Sequence, residues 1–311
     1  MGRRSQNRRR VDGVLLLDKP LGVTSQAAVT RARHLLMAAK AGHTGTLDPM
    51  ASGLLPVCFG EATKFSHMLL DSDKTYAATV RLGVTTTTGD SEGEITGGSA
   101  AVFTLAEIEA VLQHFRGESL QVPPMYSALK HAGQPLYKYA RAGREIPRAA
   151  RPIKIAALDA VSLQGNELGI TVTCSKGTYI RVLAEDIGRV LGCGACLAGL
   201  RRTAVGAFRL GQDALTLEEL EQIPPDARAA RLLPVDVLVA GLPRTDLDLQ
   251  QARRIVAGQI LELQGQTCAG LTRIYGPGQE FLGVAELQPP DRLVARRLLA
   301  QAQASAAGMA V

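Results

Sequence analysis

The spacing between apolar residues changes abruptly within residues 168–191, from the period of a strand to the period of a helix. Residues 168–174 alternate between apolar and small or polar side chains, which predicts a half-buried strand. After a turn at 175–178, the apolar residues of 180–191 follow helical spacing instead. A strand–turn–helix joint exposes the side chains at its boundary, where chemistry is usually placed. Tyr179 and Arg181 stand at that boundary and are therefore candidate functional residues.

Other segments show the same mixture of periods. Residues 74–82 alternate as a strand, and residues 271–275 and 281–287 predict a hairpin. Two capping boxes, at residues 104–107 and 216–219, predict helix starts. Strands that mix irregularly with helices, without a regular βαβ rhythm, predict an α+β fold with a mixed, mostly antiparallel sheet flanked by helices.

Composition divides the chain into three parts. Residues 1–10, with five Arg, predict a basic disordered tail, residues 11–243 the main domain, and residues 244–311 a small β-rich domain that begins with a helix at 249–256. Within the main domain, residues 123–152 are rich in Pro, Gly, Arg, Lys and Tyr. They predict a long functional excursion from the sheet.

The net charge of +6 is concentrated in two places. The first ten residues carry five basic side chains, and residues 141–154 carry five basic side chains and one acidic one. Such clusters suit a polyphosphate partner, because each Lys or Arg that meets a phosphate releases counterions. The alternative is a solubilising tail and a solvated loop.

Several classes of protein are excluded by missing motifs. The five cysteines are an odd number, which argues against a disulfide framework, and Cys193 and Cys196 lack a second pair of zinc ligands. The chain has no P-loop and no dinucleotide fingerprint. We therefore expect no metal and no cofactor. No apolar run approaches the roughly 20 residues of a membrane span, so we expect a cytoplasmic protein without membrane contact.

The segment Gly42–Pro56 has the composition of a tight, ordered loop around one histidine and one carboxylate, His43 and Asp48. Each candidate also has an ordinary structural interpretation. Asp48 before a proline is typical of a helix start, and a lone histidine is usually a satisfied polar group. Arg181 has Glu185 four residues along its helix, and Tyr76 lies on an apolar strand face.

Seven motifs in a fixed order are more specific than any of these residues alone. They are Lys19–Ser25, Gly42–Pro49, Lys74–Tyr76, Thr88–Asp90, Pro123–Lys130, Lys176–Arg181 and Leu200–Thr203. In these motifs the chain resembles the bacterial tRNA pseudouridine-55 synthases of the TruB family, over residues 11–240. The resemblance is weaker beyond, where it implies a PUA-like C-terminal domain. It implies a pseudouridine synthase fold and the cofactor-free isomerisation of uridine 55 in the T-loop of tRNA.

The resemblance also implies roles for individual residues. Asp48 matches the essential aspartate, which acts on the ribose while the N1–C1′ bond is cleaved. Tyr76 matches the tyrosine that stacks on the target base, and Tyr179 and Arg181 match the pair beside the aspartate.

Further matches concern the flipped base and the RNA backbone. Leu200 matches an apolar contact to the flipped uracil, and His43 matches the residue that fills the space the base vacates. Lys19, Lys64 and Lys130 are candidate phosphate contacts.

These residue types suit the reaction. Cleavage of the N1–C1′ bond leaves positive character at C1′, which a carboxylate stabilises or traps. Asp48 can form a covalent bond to the sugar or remove the C2′ proton, and both routes stay open. Arg181 favours the charged carboxylate and orients it. With no Trp and only six Phe and six Tyr, the chain can hold one or two extruded bases but not a long single strand.

The expected partner is the T-arm loop of tRNA, bound by a monomer. Two alternatives remain at this stage. One is a non-catalytic RNA-binding or RNA-folding protein that uses the same basic segments. The other is a nucleoside hydrolase or glycosylase, which would release free uracil.

Overall fold

A computed structural model describes residues 8–211, 213–263 and 269–300. Most of the predicted tail, the Ala- and Gln-rich C-terminal end and Cys268 lie outside the described residues. Arg9 lies within them, and its N–H donates to the carbonyl of Met37 over 2.9 Å while its carbonyl accepts from the N–H of Ala39 over 3.1 Å. Arg9 is therefore joined to the segment that follows the first helix, and the assignment of residues 1–10 to a tail stays a prediction.

The strands account for most of the regular structure. In chain order they are β1 (Gly13–Lys19), β2 (Ala41–His43), β3 (Ala51–Phe59), β4 (Lys74–Leu82), β5 (Thr85–Thr86), β6 (Ile95–Gly97), β7 (Gly117–Gln121), β8 (Lys130–His131), β9 (Gln134–Pro135), β10 (Arg151–Gln164), β11 (Glu167–Cys174), β12 (Ala195–Val205), β13 (Phe208–Arg209), β14 (Arg244–Asp246), β15 (Leu261–Glu262), β16 (Gly270–Tyr275), β17 (Phe281–Gln288) and β18 (Arg292–Leu298).

The helices are short. They are α1 (Ser25–Leu35), α2 (Ser66–Leu70), α3 (Leu105–Gln113), α4 (Leu136–Arg141), α5 (Ile180–Val190), α6 (Leu217–Gln222) and α7 (Leu249–Val256), with 3₁₀ turns at Gly60–Lys64, Arg228–Arg231 and Val235–Val239. Both predicted capping boxes are present, at the starts of α3 and α6. Within the described residues, no helix is both long enough and apolar enough to cross a membrane.

The central sheet has the strand order β1-β3-β12-β4-β11-β10-β7, with β2 on β3 and β13 on β12. Its neighbours are antiparallel except β3 and β12, which run parallel. The predicted α+β class with a mixed, mostly antiparallel sheet is confirmed. The predicted strand at 74–82 coincides with β4, and the predicted strand–turn–helix joint lies between β11 and α5.

Strand β1 shows why both faces of the sheet are buried. Its side chains alternate between two hydrophobic clusters, with Leu15 and Leu17 in one and Val14 and Leu16 in the other. Helices α1, α3, α5 and α6 contribute to the first cluster. The second contains Val284 from the C-terminal sheet, which therefore packs against the main sheet at this edge.

The C-terminal part forms its own sheet, in the order β14-β16-β17-β18-β15. A separate hydrophobic cluster joins it to α7. The predicted helix at 249–256 and the predicted hairpin, now β16 and β17, are present. The division of the chain near residue 243 stays a prediction, which limited proteolysis tests.

The parallel contact between β3 and β12 requires a glycine. Gly53 has a φ of +101°, and a Cβ at this position would lie 2.3 Å from the carbonyl oxygen of Arg202. Gly22 also has a positive φ, of +75°, but no atom lies within 4 Å of a Cβ built at Gly22. A side chain at Gly53 would therefore meet both backbone strain and a backbone clash, whereas one at Gly22 would meet strain alone.

We predict that Gly53→Ala lowers the free energy of unfolding by about 3 kcal/mol or more, because left-handed strain adds to overpacking. The matched variant Gly22→Ala is expected to cost about 1 kcal/mol, from strain alone. Urea unfolding followed by circular dichroism measures both values. Equal losses in the two variants would contradict the close approach of β3 to β12.

Candidate active site

A cavity of about 640 Å³ opens at one end of the central sheet, beside the start of β4. Its wall combines the loop before β3, the beginnings of β4 and α5, the later half of β12 and the root of the 123–152 excursion. It is lined by Gly45, Thr46, Leu47, Asp48, Leu70, Lys74, Tyr76, Ser127, Ala128, Leu129, Arg151, Pro152, Ser175, Lys176, Gly177, Thr178, Tyr179, Ile180, Arg181, Leu200 and Arg202. Five of the six predicted site residues are in this list, and His43 is not.

The loop that carries Asp48 is held by its neighbour Leu47. The Ser25 hydroxyl at the start of α1 donates to the Leu47 carbonyl over 2.9 Å and accepts from the Leu47 N–H over 2.8 Å. The Leu47 side chain is buried. Both backbone polar groups of Leu47 are therefore fixed immediately before the carboxylate, which leaves Asp48 little freedom of position.

The interpretation of Asp48 as a helix start is wrong. The Asp48 carbonyl accepts from the N–H of Ala51 over 3.0 Å in a tight turn, and β3 begins at Ala51. Ala51 is the first residue of the parallel pairing with Leu200. This pairing requires extended backbone, so the tertiary contact prevents a helix after Pro49.

Asp48 and Arg181 form an ion pair, with 3.0 Å between Oδ2 and Nη2. The Arg181 side chain is 6% exposed, whereas the Asp48 side chain is 42% exposed. The carboxylate is therefore open to a ligand in the cavity while the guanidinium behind it is not. The alternative pairing of Arg181 with Glu185 is not among the ion pairs of the described residues.

The remaining Arg181 donors face other segments. Nη1 donates to the Thr88 carbonyl over 3.1 Å, and Nη2 donates to the Tyr126 carbonyl over 2.6 Å. Nε lies 3.6 Å from Oδ2 of Asp90, a second and buried carboxylate. Arg181 thus joins the Asp48 loop to the 88–90 turn and to the root of the excursion.

Sequence reasoning assigned no role to Asp90, although it noted the motif Thr88–Asp90. One oxygen of the Asp90 carboxylate accepts from the Thr88 hydroxyl over 2.6 Å and from the N–H of Glu92 over 3.1 Å. The other faces Arg181. Asp90 therefore compensates part of the buried guanidinium charge, so that Asp48 is not the sole counter-ion.

Tyr179 precedes α5, and its backbone is clamped by Gln121. The Tyr179 N–H donates to Gln121 Oε1 over 2.8 Å, and Gln121 Nε2 donates to the Tyr179 carbonyl over 3.2 Å. Gln121 is buried at the end of β7, where the excursion departs. Burial raises the pKa of the Tyr179 phenol, which therefore stays protonated at neutral pH. Sequence reasoning missed Gln121, because the chain carries no signal for this pairing.

The floor of the cavity is formed by adjacent strands. On β4, Tyr76 lies opposite Arg202 of β12, and Leu200 lies opposite Ala78. Tyr76 and Leu200 are half-buried, which leaves an aromatic and an aliphatic surface facing the cavity. Burial also raises the pKa of Tyr76. Arg202 is a second residue that sequence reasoning missed, since an arginine on a strand gives no sign of being fully buried.

His43 lies on β2, beside the cavity but outside its lining. Its Nδ1 accepts from the N–H of Gly45 over 3.2 Å, which ties it to the Asp48 loop. Burial, followed by the charge of Arg202, lowers the pKa of His43, so the imidazole is neutral at pH 7.

Two of the three candidate phosphate contacts are occupied by protein atoms. Lys19 is fully buried, and its Nζ donates to the carbonyls of Pro20 and Val23 over 2.9 and 2.7 Å. Lys64 Nζ binds Glu61 and the carbonyl of Leu298. Lys130 is exposed. Phosphate contact stays a prediction for all three lysines, and at Lys19 the burial of the side chain opposes it.

In the part of the chain that the structure describes, no group of three or more His, Cys, Asp or Glu side chains is placed to hold a metal ion. Cys58, Cys174, Cys193 and Cys196 are buried and unbonded to one another.

Three family models match consecutive parts of the chain. The N-terminal domain of the TruB family of pseudouridylate synthases matches residues 33–180, a C-terminal domain of tRNA pseudouridylate synthase B matches 181–240, and a second TruB C-terminal model matches 243–299. The protein named tRNA pseudouridine synthase B of Methylobacillus flagellatus is 52% identical over 95% of this chain and 97% of its own length. This chain belongs to the TruB family.

Other similarities agree with this membership in the TruB family. The protein of the same name from Aromatoleum aromaticum is 55% identical over 94% of both chains. A solved structure described as an H/ACA RNP bound to a substrate RNA containing 2′-deoxyuridine has a TM-score of 0.70 and 26% identity, and covers 92% of this chain and 84% of that chain. The predicted resemblance to the TruB family is confirmed, and the chain is a pseudouridine synthase.

The burial of Lys74 at the cavity floor makes the free energy of unfolding depend on pH. Its Nζ donates to the carbonyls of Leu69, Leu70 and Ser72, and burial lowers its pKa to about 8. In the unfolded chain the pKa is near 10.5, so between pH 8 and 10.5 the unfolded state binds more protons. Stability linked to Lys74 therefore rises with pH across this window.

We predict that wild type gains stability relative to Lys74→Met between pH 7.5 and pH 10, on the order of 1–3 kcal/mol. Other groups titrate in both proteins and cancel in the difference. Lys154→Met removes an exposed lysine and is the matched control for the loss of a lysine that is not buried. Urea unfolding at both pH values measures the effect, and a constant difference for Lys74→Met would contradict the lowered pKa.

Proposed function

We propose that this synthase isomerises uridine 55 in the T-loop of tRNA, with Asp48 acting on the ribose. The observation that carries the proposal is the Asp48–Arg181 pair, which presents one accessible carboxylate within a cavity floored by Tyr76 and Leu200. The names of the curated relatives supply tRNA as the substrate class.

The reaction divides into three changes of bonding. The N1–C1′ bond breaks and its electron pair stays with the uracil, while Asp48 compensates positive character at C1′, by a covalent bond or by removing the C2′ proton. The base then turns in the cavity, and C5 bonds to C1′ while the sugar is released from Asp48 or regains its proton. Finally C5 loses its proton and N1 gains one, so the product has the mass of the substrate and no cofactor is consumed.

The other predicted residues fit supporting roles. Arg181 holds the carboxylate towards the cavity, and Tyr76 and Leu200 hold the detached base by stacking and apolar contact. The protonated Tyr179 hydroxyl is available for hydrogen bonding or for the late proton transfer at C5. Neutral His43 beside the Asp48 loop is proposed to fill the space left by the flipped base.

RNA affinity is proposed to come from the excursion 123–152 and the cavity mouth. Arg141 and Arg144 are exposed and stack over Tyr137 and Tyr139, at 5.7 and 5.4 Å from the ring centroids. This stacking holds the guanidinium groups outward without neutralising them, which suits contact with phosphates.

A T-loop is a favourable target because base flipping costs least where pairing is already weak. We propose a monomer that acts in the cytoplasm. Residues 244–311 are proposed as a PUA-like domain that contacts RNA away from the reacting base. A change of sedimentation coefficient with protein concentration would contradict the monomer.

We predict that Asp48→Asn reduces turnover more than about 1,000-fold and leaves the Kd for tRNA within about threefold. The substitution removes the charge that C1′ requires but preserves the size of the side chain. Tritium release from C5 of uracil, in one unmodified tRNA transcript, measures turnover, and filter binding measures the Kd. Asp226→Asn, which alters an exposed aspartate, is the control and should retain activity.

The same assay separates the alternatives. A non-catalytic RNA-binding or RNA-folding protein releases no tritium even as wild type. A nucleoside hydrolase or glycosylase releases free uracil and changes the mass of the RNA. Tritium release with unchanged RNA mass is the result expected of an isomerase.

We predict that Arg141→Gln with Arg144→Gln weakens tRNA binding and flattens its salt dependence. The slope of log K against log salt should fall by about 0.7–0.9 for each phosphate that the variant no longer neutralises. Arg81→Gln with Arg189→Gln removes the same charge from sites already paired with Glu167 and Asp186 and is the control. An unchanged slope in the first double variant would contradict the phosphate contacts and would favour the alternative that these arginines belong to a solvated loop without an RNA partner.

A further inference from the structure

The cavity lining carries five cationic side chains and one carboxylate. Arg181 is paired with Asp48 and Asp90, so its charge is compensated. Arg151 and Lys176 are exposed, so RNA phosphates can reach them, and Lys176 is also paired with Asp71 over 2.6 Å. The remaining two, Lys74 and Arg202, are at the floor and have no use in the mechanism so far.

Arg202 is buried without a counter-ion. It is 1% exposed, and its guanidinium donates to the carbonyls of Leu54 over 2.7 Å and Gly45 over 3.1 Å. Lys74 is 6% exposed and is likewise bound only to carbonyls. Neither residue is within ion-pair distance of a carboxylate among the described residues. Two desolvated cations side by side are costly, and an anion that forms beside them would be stabilised by their charge.

Both cations lie beneath the place where the base is held. Arg202 is the cross-strand neighbour of Tyr76 and shares the cavity-facing side of β12 with Leu200. Lys74 precedes Tyr76 by two residues, so its side chain leaves β4 on the same face. The two side chains meet next to Gly45. A Cβ built on Gly45 would lie 3.6 Å from Arg202 Nη1 and 4.0 Å from Lys74 Cε, so both side chains pack against the same point of this loop.

A phosphate is not the anion that these groups serve. Their donors are bonded to backbone carbonyls, and their exposure is too small for direct contact with the RNA backbone. The group that enters the floor is the uracil, which is neutral in the substrate and anionic once N1 leaves C1′ with the electron pair. A fixed positive charge at this place therefore acts on the transition state and not on the bound substrate.

We propose that Arg202, assisted by Lys74, stabilises the departing uracil anion by its charge. The inference rests on the proposed function, since it requires that the base detach in this cavity. Arg181 then serves the sugar side of the broken bond through Asp48, and Arg202 serves the base side. Arg181 thus acts on the positive charge at the sugar by positioning Asp48, and Arg202 acts on the negative charge of the base.

The test compares leaving groups of different acidity. Arg202→Gln removes the charge and keeps a hydrogen-bonding side chain, and should slow single-turnover conversion of uridine about 10- to 100-fold. The second substrate carries 4-thiouridine at the target position, and its base is more acidic than uracil. With this substrate, the fold-reduction in the single-turnover rate of the variant against wild type should be at least threefold smaller than with uridine. Nuclease digestion and chromatography quantify the product.

Further variants separate charge from structure. Arg202→Lys retains the charge and should recover most of the rate, although it loses the guanidinium geometry. Lys74→Met, whose bonds do not involve the Asp48 loop, should show a smaller loss that also shrinks with 4-thiouridine, and it carries the test if Arg202→Gln does not fold. Arg201→Gln alters the neighbouring arginine, which is 45% exposed and bound to Asp18, and is the matched control.

Each result of these rate measurements either supports or overturns the proposed role of Arg202. An equal loss on uridine and 4-thiouridine, or no loss at all, overturns the proposal, because Arg202 then only holds the loop or does nothing for the reaction. A loss that shrinks with the acidic base, together with a tRNA Kd within threefold of wild type, supports it. Conversion of uridine by wild type tests the proposed function separately.

Discussion

A buried guanidinium cation is costly unless hydrogen-bond acceptors surround it, and at Arg181 two carboxylates and two backbone carbonyls meet this requirement and organise the site. One side chain bonds to Asp48, to the Thr88 carbonyl and to the Tyr126 carbonyl, and faces Asp90. Because a desolvated charge without partners is expensive, these segments are held together around it. The accessible carboxylate is a consequence: of the two anions around Arg181, Asp48 is the one exposed to the cavity.

The geometry of the sheet converts this pairing into a cavity. The parallel contact of β3 with β12 brings the Asp48 loop beside Leu200, and the antiparallel contact of β12 with β4 places Tyr76 next to both. Gly53 permits the backbone approach at this point. The base-holding surface and the carboxylate therefore belong to one rigid arrangement of strands, which suits a reaction whose intermediate must not escape.

Local features were predictable because they depend on neighbouring residues. The strand β4, the joint from β11 to α5 and the capping boxes of α3 and α6 follow from period and side-chain chemistry. The turn at Asp48 was not predictable, because the pairing of β3 overrides the helix-start signal of an Asp-Pro dipeptide. The burial of Lys19 was hidden for a similar reason: a lysine at the end of a strand gives no local sign of its surroundings.

The sequence by itself determined the inventory of chemical groups, the periods and the family motifs. Only the tertiary structure decided which charges are desolvated and which partners they meet. Asp48 and Arg181 are more than a hundred residues apart, and so are Lys74 and Arg202. The energy of a charged side chain depends on the dielectric and the dipoles around it, and these come from segments that are distant in the chain. Identical side chains therefore do different work: Arg202 is enclosed beneath the cavity, while adjacent Arg201 points outward on the same strand.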